Sequence, residues 1–200
     1  MIFLKENCIC EYEVTKSRFI GVLIPIVSNK DIPALIAELR SKHPKANHFC
    51  YGCVTGEHGE YHNSSDDGEP SGTAGVPILN VLKHKSITNC LCVIIRYFGG
   101  IKLGAGGLIR AYTKTVSLIL ETALFYTIKK VPTYKLIFDY SLIDKVEHLI
   151  NNNCFVTKKE FGENCIYTLH LDTLNIFDEI EHLFLSKEYL GETILELDLS

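Results

Sequence analysis

The alternation of apolar and polar positions predicts strands and helices in turn along the first 125 residues. Short apolar or alternating runs bounded by Gly, Pro or Ser are typical of strands, and apolar residues spaced three and four apart are typical of helices. The strands predicted in this way are Glu11–Val14, Lys16–Ser28, Ala46–Gly56 and Asn89–Phe98. The last of these is apolar and β-branched nearly throughout, which predicts a central strand of a sheet.

The first predicted helix follows the second strand. Asp31 is its expected N-cap, Pro33 lies near its first turn, and it ends near His43-Pro44. The segment Gly56–Pro70 reads as a long polar loop. A loop of this length inside a compact domain is usually functional or disordered.

A short second helix is predicted across Ala74–Leu82. Ser71 or Thr73 is its expected cap, and Pro77 then belongs to its first turn, where a missing backbone N–H does no harm.

A long third helix is predicted from about Ala105 to Phe125, with one apolar face and one solvent face. The apolar face is formed by Leu108, Ile109, Tyr112, Val116, Ile119, Leu120 and Ala123, and the solvent face by Arg110, Lys114, Ser117 and Glu121.

The last third of the chain is predicted to form a second series of strands and helices after a linker at Ile128–Tyr134. Pro132 punctuates that linker. The elements expected beyond it are the strand Thr133–Ser141, the helix Leu142–Asn152, a hairpin of Cys154–Gly162 and Cys165–Thr173 that turns at Gly162-Glu163-Asn164, the helix Asn175–Leu190 and the strand Glu192–Ser200. The order βαββαβ is the ferredoxin-like arrangement. The predicted fold class is therefore α+β with two domains, at residues 1–130 and 131–200.

Charge is distributed unevenly between these two parts. Residues 1–132 contain 15 Lys and Arg against 11 Asp and Glu, a net charge of +4, whereas residues 133–200 contain 5 against 13, a net charge of −8. This asymmetry indicates an anion-facing first part and an acidic second part that could meet a basic protein partner. No apolar run reaches membrane-spanning length, and the N-terminus is acidic where a signal peptide would be basic, so we expect a cytoplasmic protein with no membrane partner and with eight free thiols.

The stretch from Asp66 to Tyr112 carries the clearest functional signal. Eight of the 14 glycines lie between Gly68 and Gly107, and no Asp or Glu occurs from Pro70 to Leu120. A basic, glycine-rich segment that leads into a helix N-terminus is where an anion is expected to bind. The residues predicted to bind phosphate or nucleic acid are Arg96, Lys102, Gly104, Gly106, Gly107, Arg110 and Lys114. A merely solvated basic face is the alternative.

Two standard nucleotide-binding loops are excluded by single positions. Gly99–Gly104 has the first spacing of a P-loop, but Ala105 stands where the lysine is required. The run that begins at Gly104 has Ile109 in place of the third glycine of the dinucleotide fingerprint.

The cysteines and histidines of the chain have both chemical and structural interpretations. Cys50 and Cys53, together with Cys90 and Cys92, suggest a zinc site. The second pair has the wrong spacing for zinc, so buried free thiols are the favoured interpretation. Nucleophilic catalysis by Cys50 with His48 lacks an evident orienting carboxylate. The histidines of the last third, His148, His170 and His182, lie at ordinary helix and strand positions. We therefore expect no resident metal or cofactor.

The acidic loop before the second helix has two interpretations. Asp66, Asp67 and Glu69 could hold a metal ion together with substrate phosphates, or they could be turn-forming acids that favour the helix N-terminus. Arg96 follows an apolar run on the predicted central strand, so its side chain should be buried and paired with one of these three carboxylates.

Long segments of the chain resemble one known family. The runs SDDGEPSGTAGVPIL and CVIIRYFGGIKLGAGGLIRAY closely resemble the signature of the IMPACT/YigZ family, and TKSRFIG and HPKANHFCYG match it as well. The loop signature includes Asp66, Asp67, Glu69, Ser71 and Thr73. The resemblance covers nearly all of the first 125 residues, and the remainder fits the bacterial two-domain form. The second cysteine of Cys50-x-x-Cys53 departs from the pattern.

The resemblance implies a fold and a cellular role. The first domain is expected to be an α/β sandwich similar to a ribosomal small-subunit protein and to domain IV of elongation factor G, and the second to resemble domain V of that factor. Eukaryotic members modulate the kinase that senses uncharged tRNA, partly through an N-terminal RWD domain that has no counterpart in this sequence. No catalytic residues come with the family.

These observations lead to one functional hypothesis and one alternative. The favoured hypothesis is a non-catalytic regulator linked to translation that binds RNA or the ribosome through the basic, glycine-rich face. The alternative is an enzyme that acts on a phosphorylated small molecule or nucleotide at the same glycine-rich and acidic site.

Overall fold

The computed structural model describes residues 1–150, 154–171 and 181–199 and has a mixed α+β structure, as the hydrophobic pattern predicts. The chain forms two compact units. Unit 1 comprises Met1–Thr127 together with the end of the chain from Asp198, and unit 2 comprises Ile128–Leu197. No helix among the described residues is both long enough and apolar enough to cross a membrane.

The described residues form eleven strands and four α-helices. The strands are β1 (Ile2–Leu4), β2 (Cys8–Val14), β3 (Ser17–Pro25), β4 (His48–Thr55), β5 (Tyr61–Ser65), β6 (Ile87–Thr88), β7 (Cys90–Tyr97), β8 (Phe125–Phe138), β9 (Cys154–Phe161), β10 (Cys165–Leu171) and β11 (Ser186–Leu199). The helices are α1 (Ile32–Lys42), α2 (Gly75–His84), α3 (Gly104–Thr122) and α4 (Ile143–Ile150).

Unit 1 is organised around a five-stranded antiparallel sheet in the order β2-β3-β7-β4-β5. Its central strand is β7, as its apolar sequence predicts, and seven of the eight residues of β7 are buried. One face of the sheet packs against α2 and α3 through a core that includes Cys92 and Ile94. The other face packs with α1 through Val93 and Ile95. Because side chains alternate across a strand, a strand covered on both faces is apolar at every position.

The predicted polar loop Gly56–Pro70 is wrong in its central part. Residues Tyr61–Ser65 form β5, which pairs antiparallel with β4 from Tyr51 to Thr55. The sequence of β5, YHNSS, lacks the apolar alternation of a half-buried strand because β5 lies at the edge of the sheet and exposes most of its side chains.

Helix α2 is capped by a residue other than those predicted. Ala74 occupies the N-cap position and cannot accept a hydrogen bond through its side chain, and neither Ser71 nor Thr73 caps the helix. Asp66 provides this function from eight residues away, because its carboxylate accepts from the backbone N–H of Gly72, Ala74 and Gly75 at 2.8, 3.0 and 2.8 Å. The helix-dipole interpretation of this acid is therefore correct.

Helix α3 buries one face, with one difference from the prediction. Leu108, Tyr112, Val116 and Ile119 are buried as expected, and the small or polar residues Ala111 and Thr115 are buried beside them. Ile109, assigned to the apolar face from its hydrophobicity, is exposed. The buried face of α3 is therefore rotated toward Ala111 and Thr115. A prediction from hydrophobicity alone included Ile109 and left out these two residues.

Unit 2 contains the four-stranded order β9-β10-β8-β11, with α4 between β8 and β9 in the chain. The hairpin of β9 and β10 is antiparallel and turns at Gly162-Glu163-Asn164 as predicted, with the Gly162 N–H donating to the Asn164 carbonyl oxygen. Leu136, Phe138 and Tyr167 contribute to its core.

Two predictions for this part of the chain are wrong. The segment Ile128–Tyr134 is not irregular, because it lies within the continuous strand β8, which Pro132 does not interrupt, although the division between the two units falls at its start, between Thr127 and Ile128. The predicted helix Asn175–Leu190 ends too late. Residues Ser186–Leu190 belong to β11, and Glu181–Leu183 form a 3-10 turn. The part of that helix at 175–180, and the end of the helix Leu142–Asn152 at 151–152, lie outside the described residues.

Replacing Asp66 by alanine is expected to lower the free energy of unfolding by about 1–2 kcal/mol at pH 7, because three N–H groups lose their acceptor. Burial raises the pKa of Asp66, but the three amide donors outweigh it and leave the pKa below its ordinary value. This contribution is present above the unfolded-state pKa and is lost as the pH falls through the folded-state pKa. The difference between variant and parent should therefore shrink on acidification toward pH 3, as urea unfolding would measure.

Asp31→Ala is the matched control for this substitution. Asp31 occupies the N-cap position of α1, but its side chain makes no capping hydrogen bond. Its replacement should change the unfolding free energy by less than about 0.5 kcal/mol. Equal losses in the two variants would contradict the capping role of Asp66.

Candidate functional site

A buried ion pair lies at the end of the central strand of unit 1. Arg96, on β7, is 4% exposed, and its Nη1 donates to Glu69 Oε1 at 2.5 Å. The prediction that Arg96 is buried and paired with one of the three loop carboxylates is confirmed, and Glu69 is the partner. Arg96 is therefore unable to serve as an exposed phosphate ligand, although the sequence placed it in that set.

The pair is part of a polar network within an apolar core. Tyr112 on α3 donates through its hydroxyl to Glu69 Oε1 at 2.8 Å, and Arg96 Nη2 lies 3.4 Å from Ser17 Oγ on β3. Burial, together with the nearby Cys50 and Glu69, raises the pKa of Tyr112 far above its ordinary value, so the hydroxyl stays protonated. Arg96 Nε is the one buried side-chain nitrogen or oxygen without a hydrogen-bond partner in the part of the chain that the structure describes.

The neighbouring carboxylate of Asp67 is also occupied. Its Oδ1 accepts from Arg40 Nη2 at 2.5 Å, and its Oδ2 accepts from the Phe49 backbone N–H at 2.6 Å. The carbonyl oxygen of Asp67 lies 2.8 Å from His48 Nδ1. Asp66 accepts hydrogen bonds from the start of α2, and Glu69 pairs with Arg96. Each acid of the loop is therefore bonded to a different element. These contacts favour the structural interpretation of the loop over the metal-binding one.

The arrangement of the cysteines contradicts the zinc alternative. Cys50 faces the core beneath α2 and α3, whereas Cys53 faces the opposite core beside α1, because an odd spacing on a strand reverses the side-chain direction. The two thiols therefore have no common ligand position. Across residues 1–150, 154–171 and 181–199, no group of three His, Cys, Asp or Glu side chains is arranged to hold a metal ion.

Nucleophilic catalysis by Cys50 is also unsupported. Burial raises the pKa of the Cys50 thiol to about 12, so it stays protonated at neutral pH. The thiol donates to the Asp66 carbonyl oxygen at 2.9 Å and lies 3.3 Å from the Tyr112 hydroxyl. The ring of His48 contacts the Asp67 carbonyl oxygen instead of the sulfur.

The segment between β7 and α3 is fixed against the β2–β3 hairpin. A Cβ atom at Gly99 would lie 1.9 Å from the Lys16 carbonyl oxygen, so only glycine permits this close approach. The Gly99 N–H donates to Ser17 Oγ, the same hydroxyl that lies near Arg96. The Phe98 N–H donates to Asn47 Oδ1 at 2.8 Å. The buried network therefore positions the loop that leads into α3.

Helix α3 begins at this loop without a side-chain cap. Leu103 occupies the N-cap position, and the first turn contains no acidic residue. Gly104 has a φ of +68°, a conformation that side-chain-bearing residues rarely adopt. Gly106 is exposed and Gly107 is half-buried in the same turn. The first N–H groups of an α-helix have no intrahelical partner, so this end presents open donors and a partial positive charge.

Three of the predicted basic residues line one hollow of about 420 Å³. Lys102, Arg110 and Lys114 surround it together with Gly107, and the tip of the β2–β3 hairpin, from Tyr12 to Thr15, forms its opposite wall. All three side chains are exposed, and none of them forms an ion pair with any described residue. We call Lys102, Arg110 and Lys114 the basic face.

A second pocket of about 370 Å³ adjoins the first and shares Lys102 and Leu103 with it. We call it the Phe98 pocket. Its lining joins the ion pair to the start of α3: His48, Glu69, Pro70, Arg96, Phe98, Lys102, Leu103, Gly104, Ala105 and Leu108. Phe98, at its wall, is 44% exposed.

Sequence reasoning missed several residues around these hollows. Phe98 was assigned only to the end of a strand, and Tyr112 only to an apolar helix face. Ser17 contacts the network, and Asn47 contacts the loop beyond it. Ser17 stands between Lys16 and Arg18, and Asn47 between Ala46 and His48, so no local pattern of the sequence marks either residue.

The comparisons with known proteins agree with this architecture. The family model of the Impact N-terminal domain matches residues 15–120, which include the ion pair, the basic face and the Phe98 pocket. The chain is 38% identical over 179 residues to the IMPACT family member YvyE of Bacillus subtilis, covering 88% of this chain and 82% of that protein. It is 35% identical over 140 residues to the IMPACT family member YigZ of Escherichia coli, covering 69% of each chain.

A solved structure resembles the whole chain. A crystal structure of a hypothetical protein matches with a TM-score of 0.60 and 25% sequence identity over 100% of this chain and 97% of the other. The molecule is thus an α+β protein with an acid loop that caps a helix and a buried Arg–Glu pair beneath a glycine-rich helix start. The chain belongs to the IMPACT family, as its sequence signature indicates.

Replacing Arg96 by alanine is expected to lower the free energy of unfolding by about 3–5 kcal/mol, because Glu69 would be left buried without its cation. Urea unfolding followed by circular dichroism at pH 7 would measure this. Arg40→Ala is the matched control, since the Arg40–Asp67 pair is partly exposed and should contribute about 0–1 kcal/mol. An Arg96→Ala variant as stable as Arg40→Ala would show that the buried pair does not stabilise unit 1.

Proposed function

We propose that this protein binds nucleic acid, as RNA or as part of the ribosome, through the basic face, and that it acts in the cytoplasm as a non-catalytic regulator linked to translation. One observation carries the proposal. Lys102, Arg110 and Lys114 surround one hollow, they have no carboxylate partner among the described residues, and an uncapped helix N-terminus lies beside them.

The missing ion pairs matter because a cation that is already paired with a carboxylate must lose that partner before it can bind phosphate. Elsewhere in unit 1, Arg18 pairs with Glu11, and Arg40 pairs with Asp67. From Pro70 to Leu120 the sequence contains no acid that could neutralise the basic face. A polyanion that docks there displaces counterions without having to break protein ion pairs, which favours phosphate binding.

The helix start adds a second type of phosphate contact. The open N–H groups around Gly104, Gly106 and Gly107 can donate to a phosphate oxygen, and the absence of Cβ atoms at the three glycines lets the backbone approach closely. Contacts of these kinds position a nucleic-acid backbone and carry no base sequence information. In this proposal Arg96 holds the loop in place from below and does not contact phosphate.

The link to translation rests on family membership. The family resemblance implies a first domain at residues 1–130 similar to domain IV of elongation factor G and a second domain at residues 131–200 similar to domain V. The strand order β9-β10-β8-β11, with the first and third strands of a βαββαβ motif in the middle, supports a ferredoxin-like second domain. The net charge of −8 in residues 133–200 suits that domain to a basic protein partner rather than to nucleic acid.

An enzyme acting on a phosphorylated small molecule is the second candidate, and the Phe98 pocket favours it. Its volume of about 370 Å³ falls within the range of small-molecule sites. Thermal-shift measurements with Mg²⁺ and either mononucleotides or oligonucleotides separate the candidates. Stabilisation by a mononucleotide supports the enzyme, and stabilisation by an oligonucleotide alone supports the binding protein.

The double variant Arg110→Ala/Lys114→Ala is expected to bind RNA more weakly and to reduce the slope of log K against log salt by about one contact for each charge removed. The stability of the protein should stay within about 0.5 kcal/mol of the parent, because both side chains are exposed and unpaired among the described residues. Filter binding to rRNA or tRNA between 50 and about 200 mM salt measures the slope.

The double variant Lys83→Ala/Lys85→Ala removes the same charge from the C-terminal end of α2, outside the basic face. It should weaken binding less and leave the slope closer to that of the parent. If both double variants behave alike, the contacts are not localised at the basic face. No binding by the parent protein at low salt would refute the proposal.

A further inference from the structure

We infer that the Phe98 pocket accepts one unpaired nucleobase, so that the ligand of the basic face is a single-stranded nucleic acid. The inference rests on the proposed function and adds the class of nucleic acid to it. Phosphates would contact the basic face, and the base of an adjoining nucleotide would enter the neighbouring hollow. The two sites are contiguous because Lys102 and Leu103 line both.

The electrostatics of the pocket suit an uncharged ring. Glu69 and Arg96, both in the lining, neutralise each other at 2.5 Å and are almost completely buried. The apolar side chains of Pro70, Leu103 and Leu108 form much of the remaining lining. The pocket therefore offers a neutral, largely apolar interior, whereas its exposed cation, Lys102, lies on the side shared with the basic face.

A nucleotide has the complementary distribution of charge. Its base is planar and uncharged, and its phosphate is anionic and attached through the sugar. Placing the base in the neutral interior and the phosphate at Lys102 satisfies both parts of the ligand. A free inorganic anion would fill only the basic side and would leave the apolar interior empty.

Phe98 presents an aromatic ring for stacking. It is 44% exposed at the wall of the pocket, although a ring of this size is normally buried. Its backbone N–H is held by Asn47, and the Arg96 guanidinium lies 5.4 Å from its ring centroid. The hydrogen bond restrains the backbone at Phe98, and the guanidinium contacts its ring. Aromatic side chains that are exposed beside a basic groove are the usual stacking platforms for bases of single strands.

The pocket discriminates against duplexes for a geometric reason. Bases in a duplex are stacked and paired, and to enter a pocket one of them must first be extruded, which costs a few kcal/mol. Bases in single strands, loops and bulges are already free to turn outward. A protein that uses both hollows should therefore bind a single strand more tightly than a duplex of the same sequence.

The first experiment measures fluorescence anisotropy with a labelled RNA strand, the DNA strand of the same sequence and the duplex of each. The parent protein is compared with Phe98→Leu, which keeps an apolar side chain but removes the aromatic face. Binding of the single strand should weaken by about fivefold or more, in line with the loss of one base–aromatic stack. The salt slope should not change, because no charge is removed. Tighter binding of the RNA or of the DNA strand identifies which of the two is the ligand.

Phe155→Leu is the matched control. Phe155 on β9 is 59% exposed and does not line the Phe98 pocket, so the same chemical change there should leave the affinity unaltered.

The second experiment uses the absence of tryptophan from the chain. Phe98→Trp keeps a stacking face and places the protein's single indole at the pocket. Its fluorescence should change on addition of the single strand and much less on addition of the duplex, while the affinity stays at or above that of the parent. Binding by this variant would show that position 98 tolerates substitution, so that loss of binding in Phe98→Leu reflects the missing aromatic ring.

The outcomes separate this inference from the proposed function. Base insertion would be overturned if Phe98→Leu bound single strands as tightly as the parent protein does. It would also be overturned if the indole fluorescence of Phe98→Trp did not change on binding. In either case phosphate binding at the basic face would still stand. Equal affinity of the parent protein for the single strand and for the duplex would also overturn base insertion and leave phosphate binding standing. Absence of any nucleic-acid binding at low salt would overturn both.

Discussion

The buried pair of Arg96 and Glu69 is the interaction on which the rest of unit 1 depends. Removing two charges from water is costly, and a buried pair is tolerated only where further hydrogen bonds complete it. Here Tyr112 and Ser17 supply such bonds. Through them the pair joins the central strand, the acid loop, helix α3 and the β2–β3 hairpin. The glycine-rich loop that leads into α3 is positioned by this junction.

This arrangement divides the charged residues of the signature into two groups. Asp66, Asp67 and Glu69 are all engaged inside the fold, one on the start of α2, one on α1 and β4, and one on the central strand. Lys102, Arg110 and Lys114 have no such partners among the described residues. The acids of the motif stabilise structure, and its cations remain available to a ligand. A charged motif in a sequence can thus combine residues that stabilise the fold with residues that we propose bind a ligand.

The sequence predicted the elements with strong periodicity and failed where tertiary contacts decide. The central strand β7, the helices α1 and α3 and the β9–β10 hairpin followed from local pattern. Strand β5 did not, because an edge strand with polar side chains looks like a loop. Pro132 suggested a linker, although a strand accommodates a proline where no ladder hydrogen bond is required. The long-range cap from Asp66 to α2 could not be read from local spacing.

The candidate site was predicted in part for similar reasons. The absence of acids and the density of glycine pointed to a segment that lines both hollows, and the burial of Arg96 followed from its apolar neighbours. The two hollows depend on which side chains from distant segments meet, such as Thr15 with Arg110, or His48 with Phe98. The periodicity of a single sequence does not predict such tertiary contacts.

The buried network also bears on how unit 1 folds. Its bonds join residues far apart in the chain, with separations of 27 residues for Arg96–Glu69, 43 for Tyr112–Glu69 and 79 for Arg96–Ser17. Contacts that close long loops form slowly, because chain entropy must be lost before they contribute. We therefore expect the network to be completed late in folding, after the hairpins and helices that contain its members. Interactions that form late mainly slow unfolding, so we expect the network to maintain the geometry of the glycine-rich loop kinetically as well as energetically.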